Sequence, residues 1–384
     1  MPLAAQDLGR WPDPLGWLGD AAADRAVAGL HRTLLPRPAG SRGELDLASN
    51  DYLGLARDSR VIGAATAALA EWGAGSTGSR LVTGTTELHV ALEQALAELV
   101  GAPAALVFSS GYLANLGAVT ALAGPDCLIV SDAGNHASLI DACRLSRSPV
   151  VVVGHGDQVA ADRALAQRRE PRAMVVLDAI SSADGDLLPL PDWHALAVRF
   201  AALLVIDDAH GLGVRGVGRG AVAEAGIAAE ATVITTITLS KALGSQGGAV
   251  LGSRAVIDQL IDRARSFIFD TGLNPAAAGA ALEAVRIVAA EPELAAAVLA
   301  RAAQLAAICG APVTGSAVIP VIIGDARRAL DRSLALRELG IRVGCFRPPS
   351  VPAGMARLRL TGRADLTDSD LDRFCQTWQA VSPS

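Results

Sequence analysis

Short apolar runs alternate with longer stretches of helical pattern through the middle of the chain. The runs are Ala104–Phe108, Cys127–Val130, Val150–Val153, Ala173–Leu177, Ala202–Ile206 and Val233–Thr236, and helical stretches open near Tyr112 and Ala137. Strands and helices alternating at this spacing predict a mostly parallel sheet covered by helices on both faces. In such sheets ligands collect at the carboxyl ends of the strands. After about residue 285 the pattern changes. One long Ala-rich helix is expected from about Pro275 to Cys309, then the apolar run Ala317–Ile323, a helix near Ala329–Leu339 and the strand Ala356–Leu360. That order suits a smaller α+β unit. The expected division is an N-terminal arm (1–45), a large domain (46–285) and a small C-terminal domain (286–384).

Composition narrows the class without deciding it. The 384 residues are 51% hydrophobic but only 3% aromatic, and the formal net charge of −6 argues against nucleic acid or an acidic membrane as a partner. The five cysteines, Cys127, Cys143, Cys309, Cys345 and Cys375, form no Cys-x-x-Cys pair. They read as small residues in a reducing compartment, with no disulfide and no metal site. No basic-then-apolar leader and no apolar run of membrane-spanning length is seen, so a cytoplasmic protein is expected.

The chemistry begins with one residue. Lys241 is the only lysine: of 33 Lys and Arg, the other 32 (33 − 1) are Arg. Arginine serves surface charge and ion pairs as well as lysine does. Only a primary amine can lose its proton and attack a carbonyl. Ser109-Ser110-Gly111-Tyr112 lies between a strand and a helix, where backbone N–H groups suit a phosphate, although small residues are common at such turns. Asp207-Asp208-Ala-His210 ends another strand, and His136 opens a helix after a third. An acid there either caps a turn or pairs with a buried cation, and a lone histidine is more often structural. Arg357 and Arg359, two apart on a strand, project from one face. Solvated charges on an edge strand are the ordinary outcome of that pattern.

Four segments in order carry a resemblance: Ala48-Ser-Asn50-Asp-Tyr52-Leu-Gly54, Gly78-Ser-Arg80-Leu-Val-Thr-Gly84, Asp207-Asp-Ala-His210-Gly, and Thr238-Leu-Ser-Lys241. With Arg347-Pro-Pro-Ser350 and Arg357-Leu-Arg359, they resemble the α-oxoamine synthases from about residue 45 to the C-terminus. That family implies a fold-type I pyridoxal phosphate transferase: a large domain with a mostly parallel seven-stranded sheet, plus a smaller α+β domain. It also implies pyridoxal 5′-phosphate as cofactor, and an amino acid and an acyl thioester as substrates, joined with release of carbon dioxide. Within the family the chain is most similar to members that use L-alanine and a pimeloyl thioester.

The resemblance implies roles residue by residue. Lys241 holds the cofactor and acts as base, Asp207 pairs with the ring nitrogen, His136 stacks on the ring and also faces substrate, and His210 bonds the ring hydroxyl. Ser182 and Thr238 touch cofactor oxygens, and Gly111 and Tyr112 meet the phosphate. Arg359 grips the amino-acid carboxylate, Asn50 faces the reacting carbons, Ser350 lines the acyl route, and Arg32 contacts the acyl substrate, in a register that leaves His31 open. Thr271 reaches the phosphate of a neighbouring subunit, which implies a homodimer with a shared site. Asp178 stands where relatives often have Glu and receives no role. Family-wide motifs leave open a member that uses glycine or serine. The chain has no Gly-x-Gly-x-x-Gly after an early strand, as a nicotinamide enzyme would need, and it retains the lysine that non-catalytic relatives have lost.

Overall fold

The structure, a computed structural model, describes residues 13–37, 39 and 43–381. Residues 1–12 of the expected N-terminal arm lie outside the described residues. The strands, in chain order, are β1 (Leu45–Asp46), β2 (Ala104–Phe108), β3 (Cys127–Asp132), β4 (Val150–Val153), β5 (Arg172–Asp178), β6 (Leu203–Asp207), β7 (Val233–Thr238), β8 (Gly248–Gly252), β9 (Val318–Gly324), β10 (Ile341–Arg342), β11 (Gly344–Phe346) and β12 (Ala356–Thr361). By their contacts the described residues form two compact units, a larger one of 49–319 with 361–371, and a smaller one of those between 13 and 48, 320–360 and 372–381. Residues 286–319 therefore group with the large sheet, not with the C-terminal part.

The larger unit is built on a seven-stranded sheet in the order β2-β8-β7-β6-β5-β3-β4. Six strands are parallel, and β8 runs antiparallel to both β2 and β7. The six apolar runs of the sequence are all strands of this sheet. The seventh, Gly-Ala-Val-Leu-Gly, has only three apolar side chains between glycines, too short a pattern to stand out. Its glycine is required, because a Cβ on Gly248 would lie 2.5 Å from the Gly111 backbone.

Apart from the edge strand β4, alternate residues of the strands enter different cores. Val107, Val130, Val175, Leu177, Leu204 and Ile206 pack in one cluster, whereas Leu106, Phe108, Ile129, Met174, Val176 and Val205 pack in the other. The period-two geometry of a strand thus supplies both faces from one unbroken apolar run.

The long helix expected over Pro275–Cys309 is two helices, Pro275–Ala290 and Glu293–Cys309, bent by 86° at the break. Pro292 is the cause. It has no N–H to donate, and its ring pushes Glu291 out of the helical region, to φ −123° and ψ 64°. Among the described residues no single helix is long and apolar enough to cross a membrane. The apolar faces of this bent pair instead pack in the core, with Ala278, Ala281, Leu282, Val285 and Val298 buried.

In the smaller unit β1 pairs in parallel with β10, and β11, β12 and β9 form a three-stranded sheet with β12 at its centre. All six residues of β12 are buried. Arg357 and Arg359 are therefore on an inner strand and not solvated on an edge. The Arg357 Nε donates to the Met355 carbonyl at 3.1 Å, and the Arg359 guanidinium sits 4.8 Å from the centre of the Phe346 ring.

Candidate active site

The carboxyl ends of β5, β6 and β7 and the helix start after β2 surround a cavity of about 270 Å³. Gly111, Tyr112, His136, Ser182, Asp207, His210, Thr238 and Lys241 all line it, so eight of the residues singled out in the sequence come together there.

Lys241 reaches the cavity because β7 ends at Thr238 and the chain turns at once. The turn is pinned by Leu239 N–H to Gly247 O at 3.0 Å, Ser245 N–H to Leu239 O at 3.0 Å, and Gly244 N–H to Lys241 O at 2.9 Å. Gly244 has φ +61°, and a Cβ there would stand 2.3 Å from the Ala56 nitrogen. Only glycine satisfies both demands. The Lys241 Nζ lies 2.9 Å from His210 Nε2, and His210 Nδ1 lies 2.6 Å from the Tyr52 hydroxyl.

Asp207 ends β6 directly beside Asp178 at the end of β5. Its Oδ2 accepts from Asn115 Nδ2 at 2.6 Å and its Oδ1 from Ala209 N–H at 2.9 Å. Asn115 also donates to Ser138 Oγ at 2.8 Å and accepts from Thr236 Oγ1 at 2.5 Å. Asp207 is therefore held by Asn115, itself anchored on Ser138 and Thr236, while still facing the cavity. Burial above all, and then the Asp207 charge, push the Asp178 carboxyl well above the usual carboxylate range. Its Oδ2 accepts from the His136 N–H at 3.1 Å, while its Oδ1 is buried with no hydrogen-bond partner among the described residues.

His136 caps the helix Ala137–Ser146, with its Nδ1 2.7 Å from Ser138 Oγ. Burial lowers its pKa, Asp207 opposes that shift and Lys241 adds to it. A neutral imidazole suits stacking on a flat, electron-poor ring. Asp208, one residue beyond Asp207, points the other way and is sealed off. Its Oδ2 accepts from Val222 N–H at 3.1 Å, and burial raises its carboxyl to about 7. A Cβ on Gly211 would stand 1.9 Å from its Oδ1.

The helix Gly111–Leu122 starts at the cavity, and its Ser110 cap side chain accepts from Leu113 N–H at 3.2 Å. A Cβ on Gly111 would lie 3.1 Å from Thr238 Cβ, so the glycine keeps this end of the cavity open. The donor set fits pyridoxal phosphate: one primary amine, one held carboxylate, one stacking imidazole and a helix N-terminus around a single space.

The remaining predicted residues lie elsewhere. Asn50 is in the larger unit, 3.4 Å through its Oδ1 from the Tyr52 hydroxyl, and Thr271 is exposed in a bridge with Ser79. In the smaller unit Arg32 NH2 lies 3.3 Å from Ser350 Oγ, and both line a second cavity of about 140 Å³ with Arg347. Sequence reasoning assigned no role to Asn115 or Tyr52. Asn115 is four residues past Gly111, on the same helical face, and that spacing was the available signal. Tyr52 lay inside a motif already quoted.

Comparison with known proteins agrees with this geometry. The family model for aminotransferases of class I and II matches residues 42–377. The 8-amino-7-oxononanoate synthase of Mycobacterium sp. (strain KMS) is 60% identical over 361 residues, 94% of each chain. Among solved structures, the serine palmitoyltransferase of Sphingomonas wittichii superposes with a TM-score of 0.89 at 31% identity, over 96% of this chain and 98% of that one. A high-resolution structure of SPT with a PLP internal aldimine follows at 0.87 and 29%, with the same coverage. The chain belongs to the aminotransferase class I and II family.

Proposed function

We propose that this chain condenses L-alanine with a pimeloyl thioester, carried on coenzyme A or an acyl-carrier protein, to give 8-amino-7-oxononanoate, carbon dioxide and the free thiol. It is an acyltransferase of biotin biosynthesis. The observation that carries this reading is 60% identity over 94% of both chains to a synthase of that name. The cavity, whose only lysine is hydrogen-bonded to a histidine, supports it independently.

Pyridoxal phosphate, the cofactor of this activity, supplies an electron sink for the carbanion formed at the amino-acid α-carbon. The chain's own residues do the rest. Lys241 holds the cofactor through its ε-amine and then takes the α-proton at Nζ. Asp207, kept in place by Asn115, holds a proton on the ring nitrogen, because a carboxylate beside a pyridinium favours the charged ring. His136 covers the ring face. His210, Ser182 and Thr238 bond its oxygens, and the Gly111–Tyr112 backbone meets the phosphate. Arg359 binds the alanine carboxylate, for which a planar two-pronged donor is suited. Asn50, Ser350 and Arg32 are assigned to the substrate side by motif match. Thr271 is assigned to the phosphate of a second copy, which makes the working enzyme a homodimer of the cytoplasm.

Likeness of shape to serine palmitoyltransferase favours a second reading, in which serine and a longer acyl chain are used. One matrix of assays separates the two: alanine, glycine and serine crossed with acetyl, succinyl, pimeloyl and palmitoyl thioesters. Alanine with pimeloyl thioester is expected to give the fastest carbon dioxide release. A preference for serine with palmitoyl thioester would transfer the assignment to the second reading.

A further inference from the structure

Tyr52 is completely buried, and its hydroxyl lies 2.6 Å from His210 Nδ1. On the other side of the same ring, Nε2 lies 2.9 Å from Lys241 Nζ. The phenol has one proton to give. Asn50 Oδ1 is also near but is 3.4 Å away, at the long limit for a hydrogen bond. Distance and basicity agree, because an imidazole nitrogen is the stronger acceptor and is much the closer. A neutral imidazole that accepts at Nδ1 carries its own proton at Nε2.

We propose that Tyr52 is a positioning residue that holds His210 in the Nε2–H tautomer, so that the ring offers a donor and not a lone pair toward the Lys241 amine. An N–H aimed at Nζ is satisfied only by an amine with its lone pair free, and it opposes an ammonium there. The arrangement therefore favours the nucleophilic form of the lysine. The same N–H remains available to a ring hydroxyl when the cofactor is bound. Asp207, Asp178 and His136 also line the cavity, and the Lys241 charge acts on Asp178 and His136. Tyr52 lies directly at Nδ1 and so acts on the tautomer itself. This inference rests on Lys241 being the reacting amine of the function proposed above.

The test is a long-range proton–nitrogen NMR spectrum of the full-length protein with ¹⁵N-labelled histidine. The chain has six histidines, so His210 is assigned by the signal lost in His210→Gln. The expected wild-type pattern is an acceptor-type shift at Nδ1 and a protonated-type shift at Nε2. Tyr52→Phe keeps the ring volume and is expected to move His210 to the Nδ1–H form or to an average of the two. In the cofactor-loaded protein the same variant is expected to lower kcat several-fold with KM little changed. A wild-type His210 in the Nδ1–H form overturns the proposal, whether or not the variant folds. So does a tautomer that Tyr52→Phe leaves unmoved. Failure of the underlying reading shows separately, as absence of the borohydride-reduced cofactor from the Lys241 peptide.

Discussion

Two clusters of acids and histidines sit at the carboxyl edge of the large sheet, and they are paired in opposite ways. At one, His155 is clamped between two carboxylates, with Nδ1 2.7 Å from Asp132 and Nε2 2.6 Å from Asp186. Asp132 also accepts from the Gly134 and Gly156 N–H groups at 2.6 and 2.8 Å. The hydrogen bond His155 donates to Asp132, then the one it donates to Asp186, raises its pKa to about 10. At the other cluster, two carboxyls face each other across neighbouring strands, one of them driven toward the neutral form, and the His136 imidazole is kept uncharged. The first arrangement is what stability selects, since opposite charges meet and donors are used. The second costs stability, because the buried Asp178 lies beside a second carboxyl and keeps an acceptor left over. Polar capacity held in reserve marks the cavity as the place where something else binds.

The sharpest way to break this contrast is Lys241→Arg. It puts a fixed positive charge in the cavity and removes the only primary amine on a side chain. Turnover is expected to fall by several orders of magnitude while the melting temperature changes little. Borohydride reduction of the cofactor-loaded wild type should label a single peptide. Substantial activity in the variant would return Lys241 to the structural class.

Next in size is Asp207→Asn. It leaves the shape of the side chain intact and removes the charge opposite the ring nitrogen. A loss of about 10²–10³ in kcat is expected, typical of removing one preorganised electrostatic partner. The melting temperature should rise or hold, because the Asp178–Asp207 repulsion is relieved. A large fall in stability with unchanged kcat would show that Asp207 belongs with His155.

Arg359 and Arg357 extend the comparison to the smaller unit, where both are buried on β12. Arg359→Lys keeps the charge but loses the fork, and the apparent affinity for alanine is expected to fall by about 1–3 kcal/mol. Arg357→Lys should act on thermal stability and leave the affinity nearly unchanged. Equal losses of alanine binding would put the carboxylate grip on the wrong residue.

The smallest effect is expected at the clamp itself. The folded-state pKa of His155, about 10, lies above its ordinary 6.5, so the folded protein holds this proton more tightly than the unfolded chain. The stabilisation is complete below pH 6.5 and is lost as pH rises toward 10. His155→Gln should lower the melting temperature at neutral pH and flatten its fall between neutral and alkaline pH. About a third of the ring is exposed, so solvent screening keeps the change modest.

Much of the fold was legible because local chemistry decides it. The six apolar runs became strands because short runs of mostly apolar, β-favouring residues suit a sheet covered on both faces, although Val150, Val151 and Val152 on the edge strand β4 are exposed, and Lys241 stood out because the chain uses arginine everywhere else. The break at Pro292 was also written locally, in a residue that cannot continue a helix, yet the alanine pattern on both sides concealed it. The site was legible where residues fall at strand ends, as with Asp207, His136 and Lys241. It was not legible for Asn115, Tyr52 or the His155 clamp.

By itself the sequence determined which segments are strands, where the one reactive amine lies and, through its motifs, the class of cofactor it serves. Only the tertiary structure decided that Asp207 opens on the cavity while Asp208 is sealed behind it, that Asp178 stands beside Asp207, and that Tyr52 meets a histidine 158 positions away. The physical reason is strand order. Period and propensity act over a few residues, whereas the partner of a buried polar group is set by which strands become neighbours when the sheet closes, and that is decided by packing the whole core at once.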